Sequence, residues 1–368
     1  MISLSILEHG TDGVNMIDIV ENVEQLVALK DVWRMLEQNP LLRLPQTYDW
    51  CYHGWQTTLS KSPKNCLWVL RWHRDGVDDC VIFPFYIDAR GTLRFLMDPR
   101  NDTCDCVYLP GKDRHWCYRE VAELILKEPR IKSVFLQKMR SESEAFNYLS
   151  VFLSGATVYK DNAYSWLRVP ISDDFIAHHN QLKSKDKADL RAIRRKAASK
   201  VVRVLSSSRG NPFPRETVIS LRSAMIGKTR ATSAFLTDQT IDFAEAIYNA
   251  GCLEVVEMLS DGEVIGLNFL QRKGGRRLSW IFLYTDSRAS TEMYVKYLSE
   301  ECQKESFIFD FGVGVYSYKI GTFRPQTSVT CAIAMGKTPW QHLKFVKGML
   351  ARQVKDYLKG HLGWGKKK

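Results

Sequence analysis

The chain has 368 residues, 45% of them hydrophobic and 25% charged, with a formal net charge of +11. That length fits roughly two domains with cores of their own, and that composition excludes disorder over most of the chain. No apolar run approaches the ~20 residues of a membrane span and no basic leader precedes an apolar core, so a cytoplasmic protein is expected.

In chain order, residues 14–20 read as a strand, 23–36 as a helix ending before Asn39-Pro40, and Trp50, Trp55 and Leu59 as a second helix. Three β-prone runs, 66–72, 81–88 and 92–97, are separated by Asp75-Gly76 and Arg90-Gly91, the pattern of an antiparallel meander. A helix over 114–127, a strand over 131–137, a helix over 146–152 and strands over 155–159 and 165–169 complete the first half. After a basic helix over 182–196 the plan recurs. Pro212 and Pro214 precede a helix to 226, and 238–250 forms another. A second meander follows over 253–259, 264–271 and 277–284, then a helix over 293–302 and strands over 307–311 and 327–335. Pattern alone gives α+β architecture with two domains of mixed sheet.

The basic excess is local. Residues 183–203 hold nine basic and two acidic residues, a net +7, and 337–368 hold nine and one, a net +8, so the remaining chain is −4. Two patches of this kind fit a phosphate-bearing substrate or an anionic membrane surface better than a nucleic-acid coat. In the first, Arg191, Arg194, Arg195 and Lys196 accompany a narrow apolar stripe of Leu190, Ile193 and Ala197. These four cations are the candidates for a substrate phosphate, and a solvated helix face is the competing reading. In the second, Trp340, Leu343, Val346, Leu350 and Val354 oppose Lys344, Lys355 and Lys359. This helix either caps the second domain or lies on a membrane. Nine scattered cysteines fit reduced thiols, and Cys104-Asp105-Cys106 lacks companions at ligand spacing, so no metal is expected.

The most informative stretch is 307–323, where Phe307, Ile308, Phe309 and Phe311 make a short strand and Gly312 and Gly314 open a loop. Asp310 closes the strand, and Tyr316, Tyr318 and Lys319 follow on the loop. Together with Glu254 and Glu257 on the first strand of the second meander, they are the candidates for proton transfer.

The pattern Asp310, Phe311, Gly312, Gly314, Tyr318, Lys319, Phe323 resembles the closing motif of the CelD/BcsL-type acyltransferases of the GNAT superfamily. Gln46-Thr47-Tyr48-Asp49-Trp50 with Trp55, Leu93-Arg94-Phe95-Leu96 and the basic helix are similar to earlier parts of that family. The resemblance implies two tandem GNAT-like domains, as in the FemABX peptidyltransferases, over 1–170 and 211–336. A basic linking helix over 171–210 and a tail over 337–368 complete the division.

It also implies an acetyl or other acyl group taken from an acyl-CoA donor, no metal, and a sugar or amino-sugar acceptor for a cell-surface polysaccharide, either small or lipid-linked. The donor arm would pair with two splayed parallel strands, and its pyrophosphate would meet the N-terminus of the next helix. That places Tyr284, Arg288, Ser290 and Thr291 at the donor and Lys319, Asp310, Tyr318 and Glu257 at the chemistry. Asp286 or Ser287 reads equally as an ordinary N-cap. A FemABX-like transferase using aminoacyl-tRNA and an inactive tandem binding protein are the alternatives, and tRNA is the one nucleic acid either would involve. Peripheral contact with the inner membrane face would come through the C-terminal helix.

Overall fold

The computed structural model describes residues 2–6, 15–74, 80–98, 100–179, 182–226, 236–286, 288–314, 316–343 and 347–348, without the side chains of 2–6, 226, 317 and 318. In chain order the first strands are β1 (Ile2–Ile6), β2 (Asn15–Val20), β3 (Cys66–Leu67), β4 (Val69–Arg74), β5 (Cys80–Phe83), β6 (Phe85–Ile87), β7 (Thr92–Phe95), β8 (Val107–Tyr108) and β9 (Ser133–Arg140). They continue as β10 (Thr157–Val169), β11 (Val201–Leu205), β12 (Leu253–Ser260), β13 (Glu263–Lys273), β14 (Arg276–Tyr284), β15 (Phe307–Val313) and β16 (Gln326–Gly336). The helices are α1 (Val23–Ala28), α2 (Lys30–Leu36), α3 (Tyr48–Thr57), α4 (His115–Lys127), α5 (Glu144–Phe152) and α6 (Phe175–His178). After them come α7 (Ser184–Lys196), α8 (Arg215–Ile226), α9 (Asp238–Asn249), α10 (Arg288–Glu301) and α11 (Ser317–Phe323).

Two compact units result, one of Met1–Leu36, Ser62–Asp161 and Thr330–Lys368, the other of Glu37–Lys61 and Asn162–Val329. They are not the sequential halves that the sequence implied. Residues 37–61 belong to the second unit because Trp50, fully buried, sets its indole edge-on to Phe243 at 4.7 Å and to Trp280 at 5.1 Å. Such ring pairs add to the large area an indole buries, so this one side chain anchors α3. Residues 184–205 are not a linker either. Leu190 and Ala197 enter the second core, and Val201 to Leu205 of β11 pair with β12.

In the first unit β1, β2, β4, β5 and β8 form one sheet, while β3, β6, β7, β9 and the end of β16 pair in a second. The expected meander is thus divided, because the chain breaks between β3 and β4 at Trp68 and between β5 and β6 at Pro84, which has no N–H for a ladder. Trp68, Trp72, Phe83, Phe85 and Phe95 fill the core beneath α4 and α5. In the second unit the order is β11-β12-β13-β14-β15-β10, with Phe309, Phe311, Tyr294, Leu298 and Phe323 in the core. Each unit has a parallel pair joined through a helix, β7 to β9 and β14 to β15, and the other ladders among the described strands of each unit are antiparallel. The architecture is α+β, two units of mixed and mostly antiparallel sheet flanked by helices.

Candidate active site

The parallel pair of the second unit is short. Ile308 donates to the Gly275 carbonyl at 2.8 Å, and the ladder runs from Arg276 opposite Ile308 to Leu278 opposite Asp310, where it stops. Beyond that rung β14 continues to Tyr284 against β13, and β15 continues to Val313 against β10. Each strand therefore keeps a partner on its outer side while the inner edges diverge. A bulge accompanies each divergence. On β14, Trp280 is the extra residue between Ser279 and Ile281. On β15, Phe311 and Gly312 stand opposite Ser165 alone, and Gly312 takes φ 74°. Bulges bend a strand and raise its twist, and glycine accepts the left-handed angle at little cost.

Asp310 occupies the last rung. Its side chain is buried, with Oδ2 accepting from Arg276 Nη1 at 3.1 Å and Oδ1 accepting from the Gly312 N–H at 3.0 Å. Burial pushes this carboxyl above the usual carboxylate range, against the opposing pull of Arg276, the Gly312 N–H and the Lys319 charge. A buried acid raised in this way is suited to taking a proton. Arg276 was not singled out from sequence; the Gly274-Gly275 turn just before it was the available signal.

Lys319 does not project from a loop, as the glycines had implied. Residues 317–323 form α11, and positions 319 and 323 share a helix face, so Lys319 turns inward with Phe323. Its ammonium donates to the Phe311 carbonyl, at the β15 bulge, and lies 5.0 Å from the Tyr316 ring centroid. The side chain of Tyr318 lies outside the described residues. Tyr316 is 56% exposed and folds over Gly314, where φ is 100° and a Cβ would stand 2.5 Å from the ring. The far end of α11 is held by His179, whose Nε2 donates to the Phe323 carbonyl at 2.7 Å. Burial lowers the His179 pKa, so the folded state binds this proton less tightly than the unfolded chain. Its contribution is complete above the unfolded value near 6.5 and is lost as pH falls through the folded one. Thermal melts from pH 7.5 to 5 should show that loss, and His179→Gln should flatten it.

At the start of α10 the expected donor contacts are otherwise engaged. Asp286 accepts from the Arg288 N–H at 3.0 Å and pairs with the Arg288 guanidinium at 2.6 Å, which holds its pKa down at about 2. The carboxylate thus stands where a pyrophosphate would bind, and the Arg288 charge is matched. Asp286 thus binds the first N–H of α10 from two residues before it; Ser287 lies outside the described residues. Ser290 is buried, Thr291 half-buried, and Tyr284 directs its N–H to Met225 Sδ of α8 at 3.2 Å.

The remaining candidates separate from this cluster. Glu257 lies under 2% exposed on β12, across from Arg203 of β11, whose Nε donates to it at 2.9 Å. On α7, Arg191, Arg195 and Lys196 are exposed, whereas Arg194 pairs with Asp174 at 2.9 Å. Lys200, just past α7, pairs with Glu292 of α10, and its charge reaches Asp286 at the start of that helix. Of the C-terminal segment, residues 339–343 are helical, Trp340 is 73% exposed, and 349–368 lie outside the described residues.

The first unit has the same short parallel pair, from Thr92 opposite Ser133 to Leu93 opposite Val134. There the edge of β9 is taken by the unit's own chain. Cys104 bridges Met139 in parallel and donates to the Lys138 carbonyl at 2.9 Å, while Lys138 Nζ donates to the carbonyls of Asp98 and Asn101. Cys104, Asp98 and Asn101 thus lie along the edge of β9, whereas among the described residues no backbone pairs with the inner edges of β14 and β15 beyond Leu278 and Asp310.

No family profile and no curated protein matches the sequence. Solved structures do match in fold. FemX aligns with a TM-score of 0.56 at 11% identity over 89% of this chain and 99% of its own. The chain shares the fold of FemX. A conserved protein of unknown function from Bacteroides thetaiotaomicron aligns at 0.55 with 11% identity, over 87% of this chain and 100% of that one. A tandem GNAT protein from the clavulanic acid biosynthesis pathway aligns at 0.48 with 11% identity, over 88% and 99%.

Proposed function

We propose that the second unit is an acyltransferase that moves an acyl group from a thioester donor, acetyl-CoA or another acyl-CoA, to an amine or hydroxyl of a cell-surface polysaccharide precursor. The observation that carries this reading is the divergence of β14 and β15 beyond their short parallel ladder, with Asp310 on its last rung. An extended donor arm can pair with the inner strand edges as an added strand would. The diphosphate end fits less well, because Asp286 already occupies the start of α10. At the chemistry, the acceptor nitrogen or oxygen attacks the acyl carbon, its proton passes to Asp310, and the C–S bond breaks to release the donor's thiolate, which takes up a proton to leave as the thiol; Arg276 and the Gly312 N–H hold the Asp310 carboxylate in place. Because the first unit's own chain lies along the edge of β9, one donor site per chain is expected.

The capped helix start and the exposed cations of α7 favour a second reading, a FemX-like transferase whose donor is an aminoacyl-tRNA. Thermal shift decides between the two, since a ligand selective for the native state raises Tm by mass action. A rise with acetyl-CoA supports the first reading. A rise with aminoacyl-tRNA alone supports the second, and no response to either overturns both.

The α7 cations give a separate expectation under either reading. Arg191→Gln with Arg195→Gln should leave Tm nearly unchanged, since exposed charges add little to stability, and should weaken a phosphate-bearing substrate about tenfold or more at low salt. Unchanged KM at every ionic strength would reduce α7 to a solvated face.

A further inference from the structure

At the Tyr284 end of β14, the edge that faces the divergence meets a side chain of α8. Thr285 donates to Ile265 of β13 at 3.0 Å, and backbone groups alternate sides along a strand, so the Tyr284 N–H points away from β13. That direction is the side on which Gly275 accepts from Ile308 lower down the pair. The group found there is Met225 Sδ, at 3.2 Å from the Tyr284 nitrogen. Met225 is 6% exposed at the end of α8, whose Val218 and Leu221 are also buried. A thioether is a weak acceptor on an unbranched side chain with several accessible rotamers, so it satisfies the amide without fixing the edge permanently.

The first unit makes the contrast. There the corresponding edge is bound by backbone, through Cys104 and the carbonyls that hold Lys138, which cannot leave without unfolding the segment. In the second unit the group on the Tyr284 N–H is one side chain, not backbone.

We infer that Met225 is a removable stopper on the donor edge: an extended acyl donor displaces its thioether from the Tyr284 N–H and puts a carbonyl oxygen in its place. This rests on the acyl-donor reading above. Met225 thereby sets donor affinity, because each binding event must break the N–H to sulfur contact, and it selects donors that carry an amide or ester carbonyl able to replace it.

The test uses the full chain with ¹⁵N-tyrosine labelling, Met225→Leu and Met225→Ala. Leu keeps the volume but cannot accept a hydrogen bond; Ala opens the space. Without donor, Tyr284 amide exchange should accelerate roughly tenfold or more in both variants while labelled Tyr248 and Tyr297 stay protected. Met225→Ala should bind acetyl-CoA more tightly by roughly fivefold, the equivalent of one net hydrogen bond, in calorimetric titration. Unchanged Tyr284 exchange overturns the stopper, as does equal or weaker donor binding by Met225→Ala beside a wild type that binds normally. If neither protein binds an acyl thioester, the donor reading falls with it, and the two failures are told apart by the wild-type titration. A general loosening of the fold would instead accelerate Tyr248 and Tyr297 together with Tyr284, and that too overturns the proposal.

Discussion

Asp310→Asn is expected to lower turnover by about 10² to 10³, because general-base catalysis of this kind contributes roughly that much. The asparagine keeps one oxygen for Arg276, but its amide NH2 then faces the Gly312 N–H, donor against donor, so one of the two contacts at the last rung of the β14 and β15 pair is lost. It also leaves the Arg276 charge without an anion in a largely buried place, so a lower Tm is expected alongside the kinetic loss. The pH profile separates the two effects. In the wild type kcat/KM should rise with pH through the Asp310 ionisation, which burial has moved above the ordinary carboxylate range. The variant should lack that limb. Near-normal turnover with the limb intact would remove Asp310 from the proton transfer and direct attention to Glu257 and Glu254.

Lys319 produces the second large effect, by a route different from the one its sequence position implied. Its ammonium holds the Phe311 carbonyl at the β15 bulge, and its charge lowers the Asp310 pKa. Lys319→Ala removes a buried side chain and leaves a carbonyl without that donor. The expected cost is ~2–4 kcal/mol of stability, with a fall in turnover of about 10² as Asp310 shifts. Lys319→Met keeps most of the volume and should recover part of the Tm without the charge. The acid limb of kcat/KM should then move to higher pH, since the cation that favoured the Asp310 carboxylate is gone. A limb that stays where it was, with turnover restored by Met, would make Lys319 a packing residue alone.

Much of this was legible in the order of elements. The apolar run and acid at 307–311 located β15 and Asp310, whereas Gly312, read as opening a loop, lies inside the strand as its bulge, because a glycine with positive φ looks the same in sequence either way. Lys319 was found but misdirected, since a seven-residue helix after two glycines reads as loop until Phe323 gives it a buried face. The membership of α3 in the second unit could not be read, because the contact of Trp50 with Phe243 and Trp280 spans about two hundred residues of sequence. Arg276, Trp280 and Met225 were missed for related reasons. A bulge erases the period-2 pattern that would show which face Trp280 takes, and the thioether contact of Met225 joins elements that no motif links. Asp286 at the helix start was legible as an alternative, and its carboxylate is the chief departure from a simple phosphate-binding helix start.

The central claim is that a donor lies along the inner edges of β14 and β15 and nowhere in the first unit. Amide exchange across the whole chain, with and without saturating acetyl-CoA, tests it most directly. The account predicts protection confined to Ser279–Tyr284 and Asp310–Val313, with the amides around Cys104 and Lys138 unchanged. Protection at β7 and β9 instead, or none at β14 and β15 when calorimetry shows binding, would contradict it.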